Sequence, residues 1–250
     1  MNNVFVEDLG VIEYGKAWDL QEFLMKKGLD IKADLFRHPE KTAGADIRHY
    51  LLLCRHPHVY TLGKSGMIEH LLINDQRMKD LQVSFYKTNR GGDITYHGPG
   101  QLVAYPILDL EQFFADLGRY MRSLEESVIR LLGEYGIEAG RLPGSTGVWI
   151  DPDVPGKARK ICAMGVRSSR WITLHGLALN INTDLKYFDY IVPCGIADKG
   201  VTSMQQELGR TLDETQVQAL FLEKFAEVFE AHLSPVTESL KQTAVAAVHG

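Results

Sequence analysis

Between Arg90 and Pro106 the chain reads RGGDITYHGPGQLVAYP, which sets Gly91, Gly92, Gly98 and Gly100 around one Arg and one His. Glycine gives up more backbone freedom on folding than any other residue, so this density is costly. A fold that keeps it needs backbone at positive φ, or backbone that a ligand approaches closely. The block therefore reads as a ligand cradle that runs into an apolar strand. A second segment, Ile191-Val192-Pro193-Cys194-Gly195-Ile196, sets one thiol between Pro and Gly. Those neighbours favour a turn over a core strand. Together the two segments read as a substrate cradle plus a cysteine nucleophile.

The bulk properties narrow the class. A chain of 250 residues makes one large domain or two small ones and can bury its core without disulfides or metals. Three cysteines are too few, and odd in number, for a disulfide framework, which points to a reducing compartment. A net charge of −5 provides no global basic field for nucleic acid. The opening MNNVFVEDLG lacks the basic and apolar regions of a secretory signal, and no apolar run reaches membrane-spanning length. The expectation is a cytoplasmic globular protein with neither nucleic acid nor membrane as partner.

Periodicity predicts a helix from Glu13 to Lys27 and a longer amphipathic one from Leu117 to Leu132, ended by Gly136. Strands are predicted over 50–62, 83–87, 102–108, 148–150, 160–166 and 171–181, with Ser168-Ser169 as the last turn. Thr202 with Gln205, and Thr211 with Glu214, have capping-box spacing and predict two more helices. Strands and helices are interspersed without regular βαβ alternation, which indicates an α/β fold with a mixed sheet. We expect one domain over 1–232 and a frayed polar tail over 233–250.

A free cysteine is most often a small buried apolar residue, and Cys194 is compatible with that role. Its turn also lets backbone N–H groups converge near the sulfur or near an acyl oxyanion. A nucleophilic thiol needs a base or cation to assist it, and Lys160, His97 and His175 are the candidates. Lys160 opens the apolar strand that carries Cys162 and Met164 on the same face; it reads either as a solvated strand end or as a pocket lysine. His97 is either the polar centre of the glycine loop or a ring satisfied by loop carbonyls, and Arg90 either orients the loop or receives an acidic group. Three lookalikes fail. Gly63-Lys64-Ser65 lacks the upstream glycine of a P-loop, and Gly98-Pro99-Gly100 lacks the closing glycine of a dinucleotide fingerprint. Cys54, His56 and His58 share one extended face but have no fourth ligand at metal-site spacing, so no metal is expected.

Four blocks resemble one family: HPHVYTLGKSG at 56–66, RGGDITYHGPGQLVAYP at 90–106, KICAMGVRSSRWITLHGLALNI at 160–181 and YFDYIVPCGI at 187–196. The resemblance is to the octanoyl-[acyl-carrier-protein]:protein N-octanoyltransferases, or lipoyl(octanoyl) transferases. It implies the fold of the biotin/lipoate protein ligase catalytic domain. It implies octanoyl transfer from octanoyl-acyl carrier protein to a lysine of lipoyl domains, those of 2-oxoacid dehydrogenase E2 subunits and the glycine cleavage H protein. Cys194 would form a thioester acyl-enzyme and Lys160 would lower the thiol pKa and move protons. The acyl chain would lie against Arg90, Gly91, Gly92, Asp93, Ile94, Thr95, Tyr96 and His97, against Ala163, Met164 and Gly165, and against Gly176, Leu177 and Ala178. No cofactor is implied, because the donor thioester is already activated. The sequence departs from the pattern at Cys162, a second thiol, and offers Lys157 as a rival to Lys160. Arg55, Lys64, Arg159, Arg167 and Arg170 are expected to gather as a landing site for an acidic carrier protein. The alternatives kept open are an ATP-dependent lipoate or biotin ligase and a non-catalytic acyl-binding module. A papain-like hydrolase lacks the expected surroundings of its cysteine.

Overall fold

Leu51, Leu52, Leu53 and Cys54 are all fully buried, so the strand that carries them has apolar neighbours on both faces. This strand, β2 (His49–Arg55), sits inside a mixed sheet, where an unbroken apolar run is the expected pattern. The computed structural model describes residues 1–38, 40, 47–192, 199–237 and 240. On one side β2 pairs in parallel with β1 (Asn2–Val11), which pairs in parallel with β11 (Ala231–Pro235). On the other side it runs antiparallel to β6 (Gln101–Ile107), which pairs with β9 (Ile172–Asn180). The sheet continues through β8 (Arg159–Ser169), which β7 (Val148–Ile150) and the two-residue β10 (Gly200–Val201) flank.

A smaller sheet carries β4 (Ser84–Lys87), β3 (Val59–Leu62) and β5 (Ile94–His97) in that order. One face of the large sheet packs Leu51, Leu53, Ala104 and Leu179 against α3 (Leu117–Glu134) and α5 (Glu214–Phe229). The opposite face packs Leu52, Cys54, Val103 and Tyr105 against α1 (Tyr14–Arg37). Alternation along one strand thus feeds two cores. The result is the mixed α/β architecture that the interspersed pattern predicts.

Several expectations shift for identifiable reasons. Helix α1 runs ten residues beyond Lys27, and Lys32 near its end ties it to Asp109, Glu111 and the Arg170 carbonyl. The last hairpin turns at Arg170-Trp171, with φ of 45° and 68°, while Ser168 and Ser169 remain paired to Thr173 and Ile172. Two consecutive positive φ values match the twist of the flanking strands. Ser203, not Thr202, caps α4 (Met204–Leu208), and Asp213, not Thr211, caps α5. Strands β1 and β5 lie where no strand was expected; β1 mixes Asn, Glu and Asp with its few buried apolar positions. The boundary expected after residue 232 falls inside β11. No helix among the described residues is long and apolar enough to cross a membrane.

Phe221 is fully buried between α5 and the sheet, and Phe221→Ala is expected to cost about 3–5 kcal/mol in urea unfolding. The cap variant Asp213→Ala is expected to cost about 1 kcal/mol. Equal effects would contradict the ranking of core over cap.

Candidate active site

The glycine block becomes a loop and the strand β5, and it is stitched to its surroundings mostly by backbone. Arg90 is 7% exposed; its guanidinium donates to the Thr61 carbonyl (2.6 Å), the Thr61 hydroxyl (3.0 Å) and the Gly91 carbonyl (3.0 Å). Arg90 therefore orients the loop. The N–H of Gly91 donates to the Val166 carbonyl of β8, and the N–H groups of Lys64 and Ser65 donate to the carbonyls of Arg90 and Gly92. A Cβ on Gly165 would lie 2.8 Å from the Gly91 carbonyl oxygen, so only glycine lets loop and strand meet. Gly100 has φ +80°, and a Cβ there would lie 2.5 Å from the Asn182 backbone.

Between this loop, β8 and β9 lies a cavity of about 810 Å3, counted to its walls and out through its mouth. Its wall takes in Arg90, Gly92, Asp93, Ile94, Thr95 and His97 from the loop and β5. Ala163, Met164 and Gly165 of β8 and Gly176, Leu177 and Ala178 of β9 form the facing side, with Lys160 at its edge. Gly91 and Tyr96 of the expected set are not on the wall. Gly91 faces β8 through its bond to Val166, and Tyr96 turns into the small-sheet core, stacked on Tyr187 with its hydroxyl bonded to His58 Nδ1 at 2.7 Å. Gln101 and Tyr105, from the later part of the 90–106 block, join the wall with Tyr14 and Thr146, which no sequence motif marks.

Lys160 pairs with Trp149 and with Val201, and its Nζ lies 4.7 Å from the centre of the Trp149 ring. That contact holds the ammonium over an aromatic face. Lys157 lies in the exposed loop before β8 and is not on the wall. Cys194 lies outside the described residues. Val192, two residues before it, donates its N–H to the His70 carbonyl, and the His70 ring donates to Asp93 on the cavity wall. On the far side, Val201 lies on the wall itself.

The other two cysteines are fully buried, and burial pushes both thiols far above their ordinary pKa. Cys54, His56 and His58 do not converge on a common point. His56 Nδ1–H donates to the Ile12 carbonyl, its Nε2 accepts from the Tyr105 hydroxyl, and His58 bonds Tyr96. His97 stacks on Tyr14 and bonds Gln101; burial, then the nearby His56 and Arg90, lower its pKa well below the ordinary value. His175 donates from Nε2 to Asn89 and is pushed down to about 3 by burial, with the charges of Arg90 and Arg167 adding to it. The back wall is thus lined by neutral imidazoles beside one permanent guanidinium.

Three of the five residues expected to gather as a cationic landing site are held in ion pairs on different elements. Arg55 pairs with Glu214 on α5, Arg159 with Glu207 on α4 and with Asp151, and Arg167 with Glu22 on α1. Each is committed to a separate carboxylate partner on a different element.

The architecture has solved counterparts. It matches the bi-partite lipoate protein ligase of Thermoplasma acidophilum at a TM-score of 0.68 and 16% identity, over 99% of this chain and 90% of that one. It matches a lipoate-protein ligase A bound with ATP at a TM-score of 0.66 and 16% identity, over 99% and 93% of the two chains. At that identity the likeness defines the fold, that of a lipoate-ligase catalytic domain. Residues 13–226 match the family model described as the lipoyl protein ligase A/B catalytic domain, and the chain belongs to that family. It is 52% identical over 237 residues to an octanoyltransferase of Cytophaga hutchinsonii, which covers 95% of this chain and 97% of the relative. An octanoyltransferase of Flavobacterium johnsoniae is 52% identical over 229 residues, covering 91% and 97%. Within the family the chain therefore stands with the octanoyltransferases, as an acyl-transferring enzyme of lipoylation.

Burial also sets a pH dependence. His56 is pushed down to about 4 by burial, against 6.5 when solvated, so between these values the unfolded chain binds a proton that the folded chain refuses. The stability from this residue is full above pH 6.5 and is lost as pH falls towards 4. His56→Gln is expected to remove about 1.4 kcal/mol per pH unit from the slope of urea-unfolding stability across that window. An unchanged slope would show that His56 is not buried neutral.

Proposed function

We propose that this enzyme moves an octanoyl group from octanoyl-acyl carrier protein to a lysine of lipoyl domains, through a thioester on Cys194. The acceptors are the lipoyl domains of 2-oxoacid dehydrogenase E2 subunits and the glycine cleavage H protein, in the cytoplasm. The observation that carries this reading is the slot over the paired strands β8 and β9, floored by Ala163, Gly165, Gly176 and Ala178 and edged by Lys160. Ala163 and Ala178 keep that floor shallow beneath an apolar tail, and a lysine stands where a thioester head would sit. After the segment that contains Cys194, Val201 lies on this wall; before it, Val192 is tied to the wall's Asp93 through His70.

The chemistry runs in two balanced steps. The Cys194 thiolate adds to the thioester carbonyl, and the tetrahedral oxyanion collapses, expelling the phosphopantetheine thiolate. Lys160, as an ammonium, protonates that leaving sulfur and becomes an amine. It then takes a proton from the incoming lysine ammonium, whose free amine attacks the acyl-enzyme. Collapse expels the Cys194 thiolate, and the new amide nitrogen gives up its surplus proton to water. Thioester to amide is downhill, so the second step depends on positioning. The buried His97 and His175 are held neutral, act as wall and are not the proton carriers.

Incubation with octanoyl-acyl carrier protein, without ATP, is expected to add one octanoyl group by intact mass, released by hydroxylamine and absent in Cys194→Ala. Lys160→Ala is expected to slow acylation by about 100-fold or more, the usual scale for a lost acid–base group. Acylation that appears only with free octanoate, ATP and magnesium would assign the protein to the ligases instead. Normal function in Cys194→Ala would favour a non-catalytic acyl-binding module.

A further inference from the structure

A second recess lies beside the acyl cavity. It is a groove of about 460 Å3, counted the same way, lined by Arg122, Arg141 and the loop from Leu142 to Thr146. Thr146 belongs to both walls, so the groove opens where the cavity ends. The next residue, Gly147, has φ +106°, and a Cβ there would lie 3.5 Å from Lys160 Cε. The loop therefore passes directly over the side chain that edges the cavity.

The two arginines are built in. Glu125 is fully buried on α3; its carboxylate accepts from Arg122 (2.8 Å), from Arg141 Nε (3.0 Å) and from the Gly147 N–H (3.0 Å). Arg141 also donates to Glu126 (2.7 Å) and to the Arg122 carbonyl (3.1 Å), and Arg130 pairs with Glu126 (3.0 Å). Arg130 also meets Glu227 (3.8 Å), so three guanidinium groups meet three carboxylates and the cluster is balanced in charge. Arg122 and Arg141 remain 47% and 35% exposed along the groove. A buried carboxylate that fixes the loop and both arginines preorganises them for an anion.

On the reading proposed above, the tail fills the cavity and the thioester stands at Lys160, so the donor's arm must leave past Thr146. We infer that the groove is the subsite for this arm, with Arg122 and Arg141 binding the phosphate of the phosphopantetheine group. Thr146 is five steps along the chain from Arg141, a span of at most about 18 Å. That is within reach of an extended arm. Arg–phosphate contacts are bidentate and directional, so they also set the register of the thioester against Lys160.

The test uses octanoyl-acyl carrier protein, octanoyl-4′-phosphopantetheine and octanoyl-pantetheine as donors, which separates the phosphate from the carrier protein. The wild type is expected to prefer the phosphorylated free donor in kcat/KM. Arg122→Gln lowers that preference about tenfold, the scale of one charge-assisted contact, and Arg122→Lys restores part of it. Ser145→Asp, which sets a negative charge in the exposed loop, lowers it as well. An unchanged preference in Arg122→Gln overturns the subsite while leaving the reaction intact. A loss confined to the carrier-bound donor also overturns it and assigns Arg122 to the carrier protein's surface. No turnover of any thioester donor by the wild type overturns the proposed reaction, and the subsite with it.

Discussion

The Gly91 N–H bonds the Val166 carbonyl of β8, and the Gly91 carbonyl oxygen lies 2.8 Å from where a Cβ on Gly165 would be. Most of the site depends on this contact. It brings the glycine loop down onto the large sheet at the edge of the slot over β8 and β9. Arg90 holds the loop from the other side by reaching back to Thr61 on β3 of the small sheet. Backbone, the Arg90 guanidinium and the Gln101 side chain, which reaches from β6 to the Tyr96 carbonyl and the His97 ring of β5, thus frame the cavity.

Charge is distributed in keeping with that joint. Arg90 is buried and fully charged, and it lies near His97 and His175, whose neutrality it reinforces. Outward from this wall, Lys160 stands over Trp149 at the slot's edge. The polarity runs from neutral imidazoles at the back to a movable ammonium at the mouth, which suits a cavity that receives an uncharged tail and a reactive head. The arginines closer to the surface serve the fold: Arg55 pairs with Glu214 on α5, Arg159 with Glu207 on α4 and Arg167 with Glu22 on α1.

Much of the site was legible before any fold was known. The glycine density of 90–100 signalled close backbone approach, and Gly100 and Gly165 show two forms of it. The run Ala163–Gly165 and the run Gly176–Ala178 line one slot because Ala163 pairs with Ala178 and Gly165 with Gly176. Tyr96 was misread because membership in the block says nothing of which face of β5 a side chain takes. The turn at Arg170-Trp171 was missed because neither residue is a usual choice at positive φ, and the register of β8 against β9 imposes it.

Local pattern determined the mixed α/β class, the position of most strands, the amphipathic α3 and the chemistry carried by the glycine block. Each of these depends on residues adjacent in the chain, where periodicity, capping and glycine content act directly. Tertiary structure alone decided that Tyr14, Arg90, Tyr105, Lys160 and His175 share one cavity wall, and that Arg122 meets Arg141 beside it. It also decided which histidines are neutral and which arginines are already paired. The physical reason is that sheet order and burial, not chain neighbours, set those distances and the local dielectric.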